Sequence, residues 1–448
     1  MKINMDSIVI TPPVGIPLAG NGRADSNSKG VHDDLRANYL FMESNGKRLL
    51  FIGLDLLAFF RADADRVKEQ IGKVVGLSPD EINIMATHTH SGPNMHEFFK
   101  CFLTEQDIKN CAEYTEWLVQ ELVKPVPALV GNAFDGKLGY GRDVVEGYSF
   151  CRRIVLKDGT FKMVFEEYDP EDIDHLACPN GNPVMSVFLL TDMKENVKGI
   201  LVNYTSHPAV VCGEDWLYTR DYINALTVEL QKRYGREVVV LYANGAQGNQ
   251  VAADPYKPFI TGWEEADKVG KGMADGAKLI AYRILMDKEL KREVDIRTLR
   301  REVTLPIRKV PEADVARARE MLEHLTEDVL LHGLDPRAEA TSILEMAEYP
   351  KKEEDVPVQA VKIDDELIVT FPGEVFLEYG LQVIRHSPLK DTMIFGLAND
   401  YVGYIPTREA FGQGGYEVKT SICSSKFAPE AGELLGNACC ELVDDILK

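Results

Sequence analysis

The residues of this chain that are suited to chemistry fall in four short runs. The first reads Ala86-Thr87-His88-Thr89-His90-Ser91-Gly92-Pro93. Histidines at i and i+2 face one side of an extended segment, and neutral imidazole nitrogens are good zinc ligands. Two hydrogen-bonded surface histidines would read the same way. The second run, Asn203-Tyr204-Thr205-Ser206-His207-Pro208, again sets a histidine between an apolar stretch and a proline. The third, Phe371-Pro372-Gly373-Glu374, ends on a carboxylate, a residue that also serves a helix N-terminus without any ligand. The fourth, Asn399-Asp400-Tyr401-Val402-Gly403-Tyr404-Ile405-Pro406-Thr407, is an aromatic loop whose tyrosines serve equally as packing residues. Two histidines, a glutamate and one more oxygen donor make a zinc set if the fold gathers them.

The flanking segments say how that gathering works. Leu49-Leu50-Phe51-Ile52-Gly53-Leu54 and Ile82-Asn83-Ile84-Met85-Ala86 are short apolar runs that read as buried strands. Between them the spacing predicts a helix over 62–75, stopped by Gly76. Ser78-Pro79-Asp80-Glu81 then opens a helical turn with a capping box. The same strand–helix–strand alternation recurs over 199–242, with a helix over 222–234, and over 367–397, with a helix over 374–385. Such units imply parallel neighbours, and ligands of parallel strands bind beyond their carboxyl ends. All four runs follow a strand end. Residues 135–196 are rich in turns, with Lys157-Asp158-Gly159 as a hairpin signal. Residues 311–349 read as a helical insertion. The predicted fold is α/β: one large domain, residues 1–448, with mixed β-sheets flanked by helices and a metal site at the C-terminal ends of strands.

Composition narrows the partners. Acidic residues number 71 against 50 basic ones, a formal charge of −21. That charge excludes a counterion-displacing nucleic-acid face and opposes stable attachment to an anionic membrane. A small-molecule substrate is expected, and the sequence sets no oligomeric state. No apolar run approaches the roughly 18 residues of a membrane span. The N-terminus, Met1-Lys2-Ile3-Asn4, lacks an apolar leader core, so a cytoplasmic location is expected. Cys101, Cys111, Cys151, Cys178, Cys212, Cys423, Cys439 and Cys440 form no CxxC pair and are expected as free thiols.

In order along the chain, His88-Thr89-His90-Ser91-Gly92-Pro93, Ser206-His207-Pro208, Pro372-Gly373-Glu374 and Tyr404-Ile405-Pro406-Thr407 resemble the neutral/alkaline ceramidase family in its N-terminal catalytic domain. Ile10-Thr11-Pro12-Pro13, Gly30-Val31-His32-Asp33 and the strand ending at Asp55 fit the same pattern. The resemblance implies one catalytic zinc held by His88, His207, Glu374 and Tyr404, with Tyr401 as a rival for the tyrosine. It implies an acid/base or substrate-binding His90, and Tyr416 as a donor to the oxyanion. Arg152 or Arg153 would match a family arginine. From the residues themselves, Asp55 and Asp221 either orient the histidines or serve equally as helix caps or turn residues. Two departures stand out. The family's Gly-Asp-x-Ser-Pro run is here Gly248-Asn249-Gln250-Val251-Ala252, so Val251 replaces the nucleophilic serine. The C-terminal β-sandwich of the full-length family enzymes is expected to be missing.

The chemistry these residues point to does not need that serine. A zinc ion lowers the pKa of bound water and polarises a carbonyl, so metal-bound water would attack an amide- or ester-type bond of a soluble small substrate. The alternatives are a true ceramidase or N-acyl amidase acting on lipid, and a metal-containing binding protein without turnover.

Overall fold

The computed structural model describes residues 1–20, 26–95, 98–211, 214–325 and 335–448. Among them a nine-stranded mixed sheet runs in the order Val239–Asn244, Val197–Tyr204, Val184–Asp192, Phe134–Val144, Lys2–Val9, Arg36–Ser44, Lys47–Leu54 and Ile82–Ala86, with Leu290–Lys291 beside Phe134–Val144. A four-stranded sheet has the order Ile296–Pro306, Glu353–Ile363, Glu366–Thr370, Asp391–Phe395. The middle of the long sheet is antiparallel, and both its ends are parallel pairs. Leu40, Phe51, Leu201 and Leu241 from the long sheet share one buried cluster with Ile368 and Phe395 from the short one. Apolar side chains on both faces of these strands are thus removed from water, which is why the runs read as continuous rather than alternating.

Three strand–helix–strand units carry the parallel pairs. Lys47–Leu54 and Ile82–Ala86 flank the helix Arg61–Val75. Val197–Tyr204 and Val239–Asn244 flank Tyr222–Tyr234. Glu366–Thr370 and Asp391–Phe395 flank Leu377–His386. The predicted elements stand within a few residues of these bounds. Gly76 takes φ 70 and its N–H bonds Gly72 O, ending the first helix as its sequence implies. Ser78 and Glu81 close the capping box. The third helix starts at Leu377 rather than at Glu374, which is instead paired as a strand residue with Tyr404.

Residues 135–196 differ from a turn-rich break. They contain two long strands of the central sheet, Phe134–Val144 and Val184–Asp192, around the expected hairpin of Arg153–Leu156 and Phe161–Met163. The described part of 311–349 forms Glu312–His324 and Pro336–Ala347, and 326–334 lie outside the described residues.

Helix Arg61–Val75 also buries a cation. Lys68 is 2% exposed and its Nζ has no hydrogen-bond partner. Burial pulls its amine down to about 7; Arg300 adds to this, while Asp65, Asp80 and Glu302 oppose it. The unfolded chain holds this proton up to about pH 10.5 and the folded chain releases it near 7, so stability should rise with pH across that window. Lys68→Met is expected to raise the urea midpoint at neutral pH and to flatten this rise. An unchanged midpoint and slope would contradict the assignment.

Candidate metal centre

Each of the three units delivers one ligand candidate and one support. In the first, the chain leaves Ile82–Ala86 and turns sharply. His88 adopts φ 74, its N–H bonds Leu56 O at 2.8 Å, and its Nδ1 lies 2.7 Å from Leu57 O. Both carbonyls follow the partner strand Lys47–Leu54. A left-handed histidine costs conformational energy and persists where surrounding bonds fix it, a pattern concentrated at functional sites. In the second unit, His207 follows Val197–Tyr204, and its Nδ1 lies 3.2 Å from Gln247 O, just past the partner strand. In the third, Glu374 follows Glu366–Thr370, and its Oε1 accepts from the Tyr401 hydroxyl at 2.7 Å. Tyr401 comes from the loop after Asp391–Phe395.

The three ends are stitched together by the main chain. Ala86 N bonds Leu397 O at 3.1 Å, and Gly396 N bonds Asn244 O at 2.9 Å. Asn244 Nδ2 reaches Thr87 O at 3.4 Å. His90 N bonds Pro208 O at 3.3 Å, tying the two histidine runs directly.

The atoms left facing one another are His88 Nε2, His207 Nε2 and Glu374 Oε2. Their separations are 3.1 Å between the histidines and 3.1 and 3.2 Å to the carboxylate. In the neutral tautomer that gives the Nδ1 hydrogen to the main-chain carbonyl, each Nε2 is a bare lone pair. Arg152 Nη1, 3.5 Å from His207 Nδ1, cannot donate there, because Gln247 O already fixes that tautomer. Burial pushes the His207 imidazole down to about 3, assisted by Arg152, so it is neutral. Burial raises the Glu374 carboxyl, and it is held below the usual carboxylate range only by positive charge on the His88 and His207 side, the place a cation between the three atoms would take. Glu374 Oε2 is buried and accepts no hydrogen bond. Three buried acceptors in contact require a positive charge between them, a shared proton or a metal ion. Ligands at the corners of a tetrahedron about 2.0–2.1 Å from a zinc ion lie about 3.3 Å apart, close to the spacing found. The residues present therefore fit a divalent metal.

His90 stands next to this triangle. One nitrogen each from His88, His90 and His207 lie within 4.8 Å of one another, a wider group than the triangle with Glu374. The His90 ring centroid is 5.0 Å from that of His88 and 5.4 Å from that of His207. Burial, with His88 and His207 beside it, holds its imidazole well below the usual range. Room for the ring depends on Gly20, at φ 82, where an added Cβ would come 2.7 Å from His90 Nδ1. The pair is thus not set by alternation along an extended strand, as the i, i+2 spacing suggests. The left-handed turn at His88 and the contact with Pro208 place it.

Tyr404 pairs in register with Glu374, and its hydroxyl meets that of Tyr416 at 3.4 Å. Between the two tyrosines, Tyr401 is the one whose hydroxyl bonds Glu374, through the oxygen turned away from the histidines. Burial raises Tyr404 and Tyr416, so both phenols keep their protons. Of the two arginines, Arg152 is the one at the site, 5.5 Å and 5.0 Å above the Tyr404 and Tyr416 rings. Arg153 turns the other way, to Gly414 O and the Phe161 ring. Both share the fully buried Glu417, at 3.1 and 2.8 Å.

Several expectations fail for identifiable reasons. Asp55 and Asp221 do not orient the histidines, because main-chain carbonyls do. Asp55 accepts from Arg36 N, and Asp221 caps the helix Tyr222–Tyr234. Val251 bridges His207 and pairs with Phe150 as a strand residue, so no hydroxyl stands there. Asn249 secures the helix start at Leu377, accepting from Leu377 N at 3.0 Å and donating to Glu378 at 2.8 Å. Cys151 and Cys178 are bridged, not free; pairing of Cys151 with Gln250 and the turn before Asn180 bring their Cα atoms to 5.8 Å. Cys101, Cys439 and Cys440 are free, and Cys212 lies outside the described residues. Glu417, the residue after Tyr416, also belongs to the site, and nothing local in the sequence separates it from a surface charge.

Glu417→Gln leaves two buried guanidiniums without a counter-charge, a change that costs about 3–5 kcal/mol. Urea denaturation is expected to show that loss, and a loss under about 1 kcal/mol would contradict the arrangement.

Neither a family profile nor a curated protein matches the sequence. Solved structures do match. A neutral ceramidase from Pseudomonas aeruginosa aligns over 99% of this chain and 74% of its own, with TM-score 0.73 and 17% identity. A ceramidase complexed with C2 aligns over the same shares, with TM-score 0.70 and 17% identity. No helix among the described residues is long and apolar enough to cross a membrane. The chain has the fold of the neutral ceramidases.

Proposed function

We propose that the chain is a metal-dependent hydrolase cleaving an amide- or ester-type bond of a small soluble substrate. Zinc would be held by His88, His207 and Glu374, with Tyr404 as the fourth ligand. The observation that carries this reading is the triangle of bare acceptors, 3.1–3.2 Å on each side, with phenols and a neutral histidine beside it. When bound, a divalent ion supplies a Lewis acid and a water made acidic enough to react near neutral pH.

The chain's own groups have distinct tasks. His90 is neutral, so it accepts a proton at a ring nitrogen and returns it to the leaving group. Tyr416 keeps its hydroxyl proton and donates it to charge developing on the carbonyl oxygen, and the buried Arg152 behind its ring favours that charge. Tyr401 holds Glu374 so that Oε2 faces the histidines. With Val251 in the loop, attack falls to water rather than to a side-chain hydroxyl. A cytoplasmic setting is supported by the free thiols of Cys101, Cys439 and Cys440, whereas the Cys151–Cys178 bridge speaks for an oxidising one.

One feature favours the second reading, an N-acyl lipid amidase. Rings step outward from Tyr416 to Phe165 at 5.9 Å and on to Phe259 at 6.4 Å, where Phe259, Ile260 and Tyr256 are exposed. Such a path suits an alkyl chain. Release of fatty acid from a short-chain N-acyl sphingosine would support this reading over the soluble substrate.

Purified protein is expected to carry about one metal ion per chain, and His88→Ala to lose that ion together with at least about 100-fold in turnover across a panel of small amides and esters. Metal-free protein of unchanged stability contradicts the proposal. Full metal content with no turnover on any substrate leaves a metal-containing binding protein.

A further inference from the structure

Residues beside the ligand candidates carry buried polar atoms without partners: Thr87 Oγ1, Ser91 Oγ, Ser206 Oγ, Glu374 Oε2, and both Nε2 and Oε1 of Gln247. In folded proteins such atoms are rare, and each calls for a missing partner. The hydroxyls can rotate to suit water. Gln247 is different, because its amide fixes a donor and an acceptor in one plane. It is 1% exposed, so bulk water does not serve it. Its position is tightly set. Its own carbonyl holds His207 Nδ1 at 3.2 Å. The next residue, Gly248, bonds Val375 O at 3.0 Å and sits so close to Glu374 O that a Cβ would come within 2.3 Å. Gln247 is therefore wedged between the segments bearing two of the ligand candidates, and no described function uses its side chain.

We propose that Gln247 hydrogen-bonds the substrate through both amide atoms. This selects a polar group with a donor and an acceptor on neighbouring atoms, as in a vicinal diol or a carboxamide, over an alkyl chain. The inference rests on the hydrolase reading only for the substrate lying at this site. An alkyl group there leaves both amide atoms unpaired, which disfavours it by roughly ten- to a hundredfold in affinity.

Calorimetry on the full chain with methyl β-glucoside, butyramide and methyl pentanoate tests it. Wild-type protein is expected to bind the glucoside or the amide more tightly than methyl pentanoate. Gln247→Leu should weaken that polar probe at least tenfold and leave methyl pentanoate unchanged; Gln247→Met should repeat this if the leucine variant misfolds. Which polar probe responds tells diol from carboxamide. Equal affinities in wild type and variant, a wild-type preference for methyl pentanoate, or no binding of either polar probe would overturn the proposal. Metal content read in the same samples separates the two claims. Metal-free protein that still shows the tenfold loss retires the hydrolase reading alone, and metal-replete protein without the loss retires this one alone.

Discussion

The structure turns on three acceptor atoms held in contact where a cation is needed to separate them. His88 Nε2, His207 Nε2 and Glu374 Oε2 sit 3.1–3.2 Å apart inside the protein. Each comes from a different strand–helix–strand unit, and in each unit the neighbouring strand end supplies the group that aims the ligand: Leu57 O for His88, Gln247 O for His207 and Tyr401 for Glu374. The left-handed turn at His88 and the bonds from Ala86 to Leu397 and from Gly396 to Asn244 fix the three units against each other. A buried charge or lone pair without a partner is costly, so this convergence is stable only if the cation it implies contributes binding energy to the fold.

Around the triangle, the electrostatics divide into two layers. Close in, the groups are arranged to be neutral or anionic: burial keeps His207 and His90 uncharged, and Glu374 is ionised. One layer out, Arg152 and Arg153 bracket Glu417, and Arg152 faces Tyr404 and Tyr416. Positive potential thus lies behind the phenols and against the outer nitrogen of His207, on the side away from its Nε2.

The parts legible from sequence are those determined locally. Short apolar runs ending in His-x-His, His-Pro or Gly-Glu announce buried strands with chemistry at their ends, and Gly76 and Ser78 announce helix boundaries. The parts that were not legible depend on distant packing. Phe134–Val144 looks like a turn region because Gly136, Gly139 and Gly141 interrupt it. In the fold, Gly139 and Gly141 let the helix Trp263–Met286 press on the sheet; a Cβ on Gly139 would come 2.3 Å from Ile284. The same limit applies at the site. The histidine supports are main-chain carbonyls, which no side-chain pattern marks, so of the two readings open for Asp55 and Asp221 the structural one holds. Choosing between Tyr401 and Tyr404, or Arg152 and Arg153, needs the direction of each side chain, which neighbours in sequence do not reveal.

All of this follows if the three acceptors form one metal centre. Anomalous diffraction at the zinc edge, on crystals of the full chain grown with zinc, tests it most directly. A single strong peak is expected about 2.0–2.1 Å from His88 Nε2, His207 Nε2 and Glu374 Oε2. A refined structure with no peak there and a proton shared between Glu374 and a histidine would contradict it.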